Sequence, residues 1–279
     1  MNDNDDKLDF EEAAFLAETM AVGEHVEEVE SGGKRVRRKG VFFLPTLITL
    51  TALFAGFYAI VVAMEGHYQA AVFAILIAGV CDGLDGRVAR LTNTQSAFGA
   101  ELDSLADMVS FGVAPALIMF SWTLNELGRW GWAVAFIYAA CAAMRLARFN
   151  TEIGEGGNSS FKGLASPPAA GLIISFVWFF TDWGLYDASG NLWLSIFAAF
   201  ITFMAGGMMV TNIEYNSFKQ LNFSGRVPFV VILLAVFVFS LVSVDPAVML
   251  LIIAFSYAFS GPITTLWGRF RKPAAVQEP

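Results

Sequence analysis

Four aspartates within one stretch of 26 residues are the side chains of this sequence best suited to chemistry. Asp82 and Asp85 stand three residues apart, and Asp103 and Asp107 stand four apart. Either spacing puts both members of a pair on one face of a helix. The surrounding residues are apolar enough to enter a membrane, where a charged side chain costs about 2.5–3.5 kcal/mol on insertion scales. We therefore interpret the four carboxylates as a functional site.

A polar turn at residues 92–96 separates the two pairs. Asp85 and Asp103 each lie nine residues from position 94, so a helical hairpin folded there brings all four carboxylates to a similar depth. Arg90 falls on the same side, one turn closer to the bend. Small residues share these helix faces, where they either allow close helix packing or leave room for a bulky ligand. They are Gly86, Ala89, Gly99 and Ala106.

Clustered carboxylates repel one another unless cations lie between them. Ligand sets made only of oxygen suit Mg²⁺ or Mn²⁺, and two such ions side by side form a clamp used in phosphoryl transfer. Arg90 could then hold a phosphate oxygen. Because both histidines, His25 and His67, lie outside this region, an aspartate is the best available base for an attacking hydroxyl. The alternative is structural, with the aspartates paired to arginines that stabilise helix contacts.

The composition indicates a membrane protein of the all-α class. Of 279 residues, 56% are hydrophobic and 15% are charged, and the mean hydropathy is +0.60. These values exclude a soluble globule, a disordered chain and a disulfide scaffold. The apolar runs predict a polytopic bundle of about eight transmembrane helices. They cover approximately residues 42–64, 68–92, 97–123, 130–149, 167–181, 192–211, 227–243 and 246–267.

The distribution of charge orients these helices. The first 30 residues carry 11 acidic residues and one basic residue, so the net charge of -8 belongs to an N-terminal tail. With both termini in the cytoplasm, 16 of the 17 Lys and Arg residues fall on the cytoplasmic side, in agreement with the positive-inside rule. We predict an acidic cytosolic tail over 1–40 that ends in a basic juxtamembrane cluster, a membrane domain over 41–272 and a C-terminal tail over 273–279. Nucleic acid is not an expected partner.

The aspartate region resembles the CDP-alcohol phosphatidyltransferase family, whose signature reads D-G-x2-A-R-x8-G-x3-D-x3-D. The residues that match it are Asp85, Gly86, Ala89, Arg90, Gly99, Asp103 and Asp107, with Asp82 as the additional aspartate common in the family. The resemblance implies that the four aspartates bind two divalent cations, Mg²⁺ or Mn²⁺, and that Asp107 is also the general base. It implies that the CDP-diacylglycerol donor binds at Gly86, Ala89, Arg90 and Gly99.

A second region is similar to the bacterial phosphatidylserine synthases of that family. Phe149 and Asn150 are followed, after ten residues, by the segment 161–171. This likeness implies L-serine as the acceptor and CMP as a product. It also implies a homodimer in the bacterial inner (cytoplasmic) membrane, surrounded by membrane lipid, with its active site facing the cytoplasm. The residues expected to bind serine are Arg145, Arg148, Asn150, Phe161, Lys162, Gly163 and Ser166.

Three rival functions stay open at this point. A sibling enzyme of the family would accept glycerol 3-phosphate or an inositol phosphate and would need a denser basic pocket. An intramembrane prenyltransferase also binds a diphosphate at aspartate-rich metal sites, but its two aspartate motifs lie far apart in the chain. A transporter with buried aspartates would move ions or protons and release no CMP.

Overall fold

The computed structural model is built almost entirely from helices. It describes residues 28–31, 34–37, 43–92, 96–154, 163–185, 191–213, 215 and 229–271. The helical elements are α1 (Phe43–Met64), α2 (Tyr68–Leu91), α3 (Ala97–Asp107), α4 (Ala114–Trp122), α5 (Arg129–Gly154), α6 (Ser166–Asp182), α7 (Leu192–Val210), α8 (Phe229–Val244) and α9 (Pro246–Arg271). A π-helical turn, Met108–Val113, joins α3 to α4 without a break, and a 3-10 turn, Leu124–Leu127, precedes α5.

In the described part of the chain, these helices form eight rods, because α3, the π-helical turn and α4 are continuous. Each rod matches one predicted span, with ends that differ by at most five residues. The all-α class is therefore confirmed. Prolines start several rods where their missing N–H is not needed, as at Pro167 in α6 and Pro246 in α9.

One element was not predicted from the sequence. An antiparallel hairpin pairs β1 (Glu28–Ser31) with β2 (Lys34–Arg37) in the region assigned to the acidic tail and its basic cluster. The two residues between the strands, Gly32 and Gly33, are of the type that two-residue hairpin loops favour, so a signal was present in the sequence. The other parts of the predicted tails, 1–27, 32–33, 38–40 and 273–279, lie outside the described residues.

Five helical segments of the described chain are long and apolar enough to cross a membrane, and the protein is an integral membrane protein. They are Phe43–Met64, Phe98–Trp122, Arg129–Thr151, Leu192–Val210 and Pro246–Thr265. The other three rods differ in character: α2 carries the charged aspartate region, and α6 and α8 have 17 and 16 residues. A total of eight spans, with both termini in the cytoplasm, stays a prediction.

Exposed tryptophans cluster at the helix ends that were predicted to face outward. Trp130 at the start of α5 is 79% exposed, and Trp193 at the start of α7 is 81% exposed. Trp183, directly after α6, is 58% exposed. Tryptophan is enriched at membrane–water interfaces, where its ring contacts apolar and polar groups together. These ends are therefore suited to an interface.

Alanines let α1 and α2 pack closely along much of their length. Small side chains allow helix backbones to approach in a lipid environment, where dispersion and not the hydrophobic effect holds helices together. The buried alanines of this contact region are Ala52, Ala55, Ala59 and Ala63 on α1 and Ala71, Ala74 and Ala78 on α2. Close approach brings a hydroxyl of α1 within hydrogen-bond distance of Asp85 on α2.

The π-helical turn begins at the residue directly after Asp107. Hydrogen bonds from side-chain hydroxyls join this turn to neighbouring helices. Within it, Ser110 donates to the Ala52 carbonyl at 3.0 Å, and Tyr138 of α5 donates to the Phe111 carbonyl at 3.0 Å. Turns of this kind leave backbone groups to be satisfied by side chains and often occur near functional sites. This one secures the end of the helix that carries Asp103 and Asp107.

Candidate active site

Three carboxylates meet between α2 and α3. Asp82, Asp85 and Asp103 each offer one oxygen, and these oxygens all lie within 4.8 Å of one another. The hairpin that brings them together depends on Ser96, whose hydroxyl accepts the Gly99 N–H at 2.9 Å and caps the start of α3. The mirrored spacing in the sequence predicted this meeting.

The fourth aspartate adjoins the cluster. The Asp107 carboxyl group, one helical turn beyond Asp103 on α3, lies within hydrogen-bonding reach of the Asp82 carboxyl group. It is not one of the three residues whose oxygens are mutually within 4.8 Å. It also interacts electrostatically with Arg145 of α5. Asp107 is therefore near both the carboxylate cluster and a guanidinium group.

The cluster fits a divalent cation by its chemistry. The donors are carboxylate oxygens, which Mg²⁺ and Mn²⁺ prefer, and Asp85 is 5% exposed, so water alone does not neutralise it. Among the described residues, no Lys or Arg forms a salt bridge with any of the four aspartates. In this part of the chain, the one interaction of these aspartates with an arginine that remains is the electrostatic interaction of Asp107 with Arg145.

Thr49 is a site residue that sequence reasoning missed. Its hydroxyl, 5% exposed, donates to Asp85 Oδ2 at 2.7 Å, a shorter contact than the 3.1 Å to the Pro45 carbonyl. Asp85 Oδ1 accepts the Gly86 N–H at 2.5 Å, so both oxygens of this carboxylate are held by the protein. The sequence offers only a hydroxyl residue in an apolar helix, and Thr51 of the same helix shares that property.

The two glycines expected to bind the donor have different surroundings. A Cβ added at Gly86 would meet no atom within 4 Å, so this position opens onto free space beside the cluster. A Cβ at Gly99 would lie 3.0 Å from the Ser96 hydroxyl, so the helix cap itself favours glycine there. Ala89 is half-buried, and Arg90 is exposed, with its Nε donating to the Gly86 carbonyl at 2.9 Å.

Two of the residues expected to bind serine meet next to Asp107. Arg145 Nη1 donates to the Ser166 hydroxyl at 2.6 Å, which links the end of α5 to the start of α6. Ser166 is completely buried. An arginine held in this way presents a fixed positive charge close to a carboxylate, an arrangement that can bind an anionic group of a ligand.

The remaining members of that set have other contacts. Arg148 donates to Asn212 Oδ1 at 2.9 Å, and Asn150 exchanges hydrogen bonds with Ser104 of α3. The Gly163 N–H donates to the Ile213 carbonyl at 2.8 Å, with a φ of 84° that favours glycine. Phe161 and Lys162 lie outside the described residues.

Comparison with known proteins identifies the family of the chain. A model of the CDP-alcohol phosphatidyltransferase family matches residues 42–203. The chain belongs to this family. A CDP-diacylglycerol–serine O-phosphatidyltransferase of Helicobacter pylori (strain ATCC 700392 / 26695) is 37% identical over 81% of the chain and 92% of its own length. An archaetidylserine synthase of Methanothermobacter thermautotrophicus is 36% identical over 62% of the chain and 69% of its own length. A CDP-diacylglycerol–serine O-phosphatidyltransferase of Saccharomyces cerevisiae is 39% identical, with 47% and 52% covered.

Loss of the Thr49 hydroxyl should weaken metal binding. In the variant Thr49→Val the shape is kept, but Asp85 loses one of its two hydrogen-bond donors, and partners of metal ligands commonly contribute roughly 10- to 100-fold to affinity. We expect a rise of that size in the Kd for Mn²⁺, measured by electron paramagnetic resonance on the purified protein without substrate. Thr49→Ser keeps the hydroxyl and should bind like the wild type. Thr51→Val should also bind like the wild type, because the Thr51 hydroxyl donates to the Leu47 carbonyl of its own helix. Wild-type affinity in Thr49→Val would contradict the role of Thr49.

A methyl group at Gly86 should block the donor without harming the fold. The added Cβ meets no protein atom, and alanine favours a helix over glycine by about 1 kcal/mol, so thermal stability should hold or rise in Gly86→Ala. Release of CMP should nevertheless fall, with a higher KM for CDP-diacylglycerol. Gly207→Ala is the matched control, since a Cβ at Gly207 on α7 also meets nothing. Full activity of Gly86→Ala would show that the nucleotide does not use this space.

Proposed function

We propose that the protein is a phosphatidylserine synthase, which transfers the phosphatidyl group of CDP-diacylglycerol to the hydroxyl of L-serine and releases CMP. The observation that carries this proposal is the carboxylate cluster of Asp82, Asp85 and Asp103, which adjoins Asp107 and, beyond it, Arg145. The names of the relatives described above support serine as the acceptor, since serine appears in each.

The aspartates of the cluster would hold the cations. We assign Asp82, Asp85 and Asp103, with Asp107 at their side, to two ions of Mg²⁺ or Mn²⁺. When bound, the ions supply positive charge that binds the diphosphate and stabilises the departing CMP. The open space at Gly86 admits the nucleotide, and the exposed Arg90 guanidinium can reach a phosphate oxygen.

Asp107 is suited to act as the general base. Its carboxyl group lies beside the cluster and also faces Arg145, so it can contact the acceptor while the donor is bound. Asp107 takes the proton from the serine hydroxyl as that oxygen forms its bond to the phosphorus of the phosphatidyl group. The bond from this phosphorus to the CMP oxygen breaks, and the proton remains on Asp107.

The acceptor pocket would lie on the Arg145 side of Asp107. Serine is a small zwitterion, and the Arg145 guanidinium, oriented by Ser166, can bind its carboxylate. Arg148, Asn150, Phe161, Lys162 and Gly163 complete the set assigned to this pocket. The arrangement favours a carboxylate acceptor over a phosphate, which would require more positive charge.

The membrane setting is part of the same proposal. We place the protein in the bacterial inner membrane with the carboxylate cluster on the cytoplasmic half, because the basic residues concentrate at that end of the helices. A homodimer is proposed on the family resemblance alone.

Assay of the purified protein with a panel of alcohols tests the reaction directly. With CDP-diacylglycerol as the donor and Mg²⁺ or Mn²⁺ present, we expect CMP release with L-serine and little with glycerol 3-phosphate or an inositol phosphate. Removal of divalent cations with EDTA should abolish the reaction, and their return should restore it. Turnover with a phosphate-bearing alcohol in place of serine would transfer the assignment to a sibling enzyme of the family.

Replacement of the base should remove catalysis while leaving the protein folded. Because general base catalysis contributes about 10²- to 10⁴-fold, Asp107→Asn should lower kcat by at least the smaller factor. Circular dichroism and thermal unfolding should match the wild type. Asp182→Asn is the control, since Asp182 lies at the other end of the bundle, where it bonds to Gln69. An Asp107→Asn variant with wild-type kcat would exclude Asp107 as the base.

A further inference from the structure

Helix α9 borders the site although it lies beyond residues 42–203, the part of the chain that the family model matches. It packs along α6, whose first residue, Ser166, receives the hydrogen bond from Arg145. Helices α2, α6 and α9 line an open, largely apolar cavity of about 740 Å³. Near the Ser166 end of α6, the lining of this cavity includes Pro168 and, from α9, Tyr257 and Ser260. The C-terminal helix therefore supplies one wall next to the acceptor side of the site.

Tyr257 of α9 is close enough to Arg145 to interact with it electrostatically. The Arg145 guanidinium has such interactions with the Asp107 carboxyl and with the hydroxyls of Tyr138 and Tyr257. Tyr138 is fully buried, and its hydroxyl donates to the Phe111 carbonyl. Tyr257 is half-buried and faces the cavity, so its hydroxyl is the one of the two that a ligand in the cavity can approach.

Aromatic packing fixes the position of the Tyr257 ring. It lies against Tyr215, with ring centroids 5.8 Å apart, and the Tyr215 hydroxyl donates to the Ala258 carbonyl of α9 at 3.0 Å. Gly261 makes this contact feasible, because a Cβ there would come within 2.6 Å of the Tyr215 ring. Tyr257 is thus placed by a rigid pair of rings and not by its own helix alone.

The segment that leads to Tyr215 also holds other parts of the acceptor side. Asn212 accepts from Arg148 at 2.9 Å, and Ile213 accepts from the Gly163 N–H at 2.8 Å. The Leu164 N–H donates to the Met208 carbonyl at 2.9 Å. These bonds connect the residues just before α6 with the segment that contacts α9. A shift of α9 would therefore also move the predicted serine-binding residues.

Arg145 needs such support because it faces a carboxylate. An unrestrained guanidinium beside Asp107 would form a close, bidentate ion pair with its carboxylate. Asp107 could then not accept a proton, and the positive charge of Arg145 would no longer be available to bind the acceptor. Arg145 instead donates to Ser166, and among the described residues it has no salt bridge with Asp107. The Ser166 hydroxyl holds the guanidinium, and the Tyr257 hydroxyl interacts with it electrostatically.

We propose that Tyr257 is a specificity-determining residue of the acceptor pocket, which together with Ser166 keeps Arg145 directed toward the carboxylate of a small amino-acid acceptor. The inference rests on the proposed function, since it deepens the acceptor site of that reaction. It assigns part of the choice of alcohol to a helix outside the matched family core.

Steady-state kinetics of Tyr257→Phe test the proposal. This variant keeps the ring and its contact with Tyr215 but lacks the hydroxyl. We expect the KM for L-serine to rise roughly tenfold, the size expected for one lost polar contact to a charged group, with kcat and the KM for CDP-diacylglycerol unchanged. Tyr58→Phe is the matched control, because Tyr58 is exposed on α1 and its ring stacks on Phe54, and it should behave like the wild type.

An unchanged KM for L-serine in Tyr257→Phe would overturn the proposal. A lower kcat with an unchanged KM would also overturn it, because that result indicates a structural effect on the bundle. These outcomes differ from a failure of the proposed function, in which the wild-type protein itself would release no CMP with L-serine. If the wild type is active and only the variant result disagrees, the role of Tyr257 alone is wrong.

Discussion

Negative charge inside a low-dielectric bundle is the constraint on which the rest of this structure depends. Four carboxylates at membrane depth repel one another, and at about 2.5–3.5 kcal/mol each their separate burial would cost about as much as the whole stability of a typical domain. Placing them together at one hairpin changes the problem, because a shared cation offsets several charges at once. Hydrogen bonds within the protein already orient one of these carboxylates, since the Thr49 hydroxyl and the Gly86 N–H each donate to one oxygen of Asp85.

The surrounding helices follow from the need to bring those ligands close together. Alanines along α1 and α2 allow the short distance that the Thr49–Asp85 bond requires, and larger side chains would separate the backbones. The π-helical turn after Asp107 has a similar effect on α3, since the hydroxyls of Ser110 and Tyr138 anchor it. Residues with no chemical role thus determine the precision of the site.

Much of this arrangement could be predicted from the sequence, but only the part that depends on local sequence patterns. Helical periodicity and the mirrored spacing about position 94 are local properties, so the eight rods and the meeting of Asp82, Asp85 and Asp103 were predictable. Contacts between distant segments leave no such pattern. Thr49 looks like any hydroxyl in an apolar helix, and the π-helical turn has no sequence signature. Asn150 has the side chain expected of a ligand contact, yet its partner is Ser104.

The donor and acceptor sides of the proposed site are formed by different parts of the chain. The proposed donor side includes Thr49 and the aspartates, all within 42–203, and its chemistry would need only a diphosphate and a cation. The proposed acceptor side would join Arg145 and Ser166 to Tyr215 and Tyr257, and both tyrosines lie beyond that core. Because the two sides share few residues apart from Asp107, the acceptor wall can change without disturbing the metal ligands. A fold built in this way can retain one transfer reaction while the alcohol is selected by a separate set of helices.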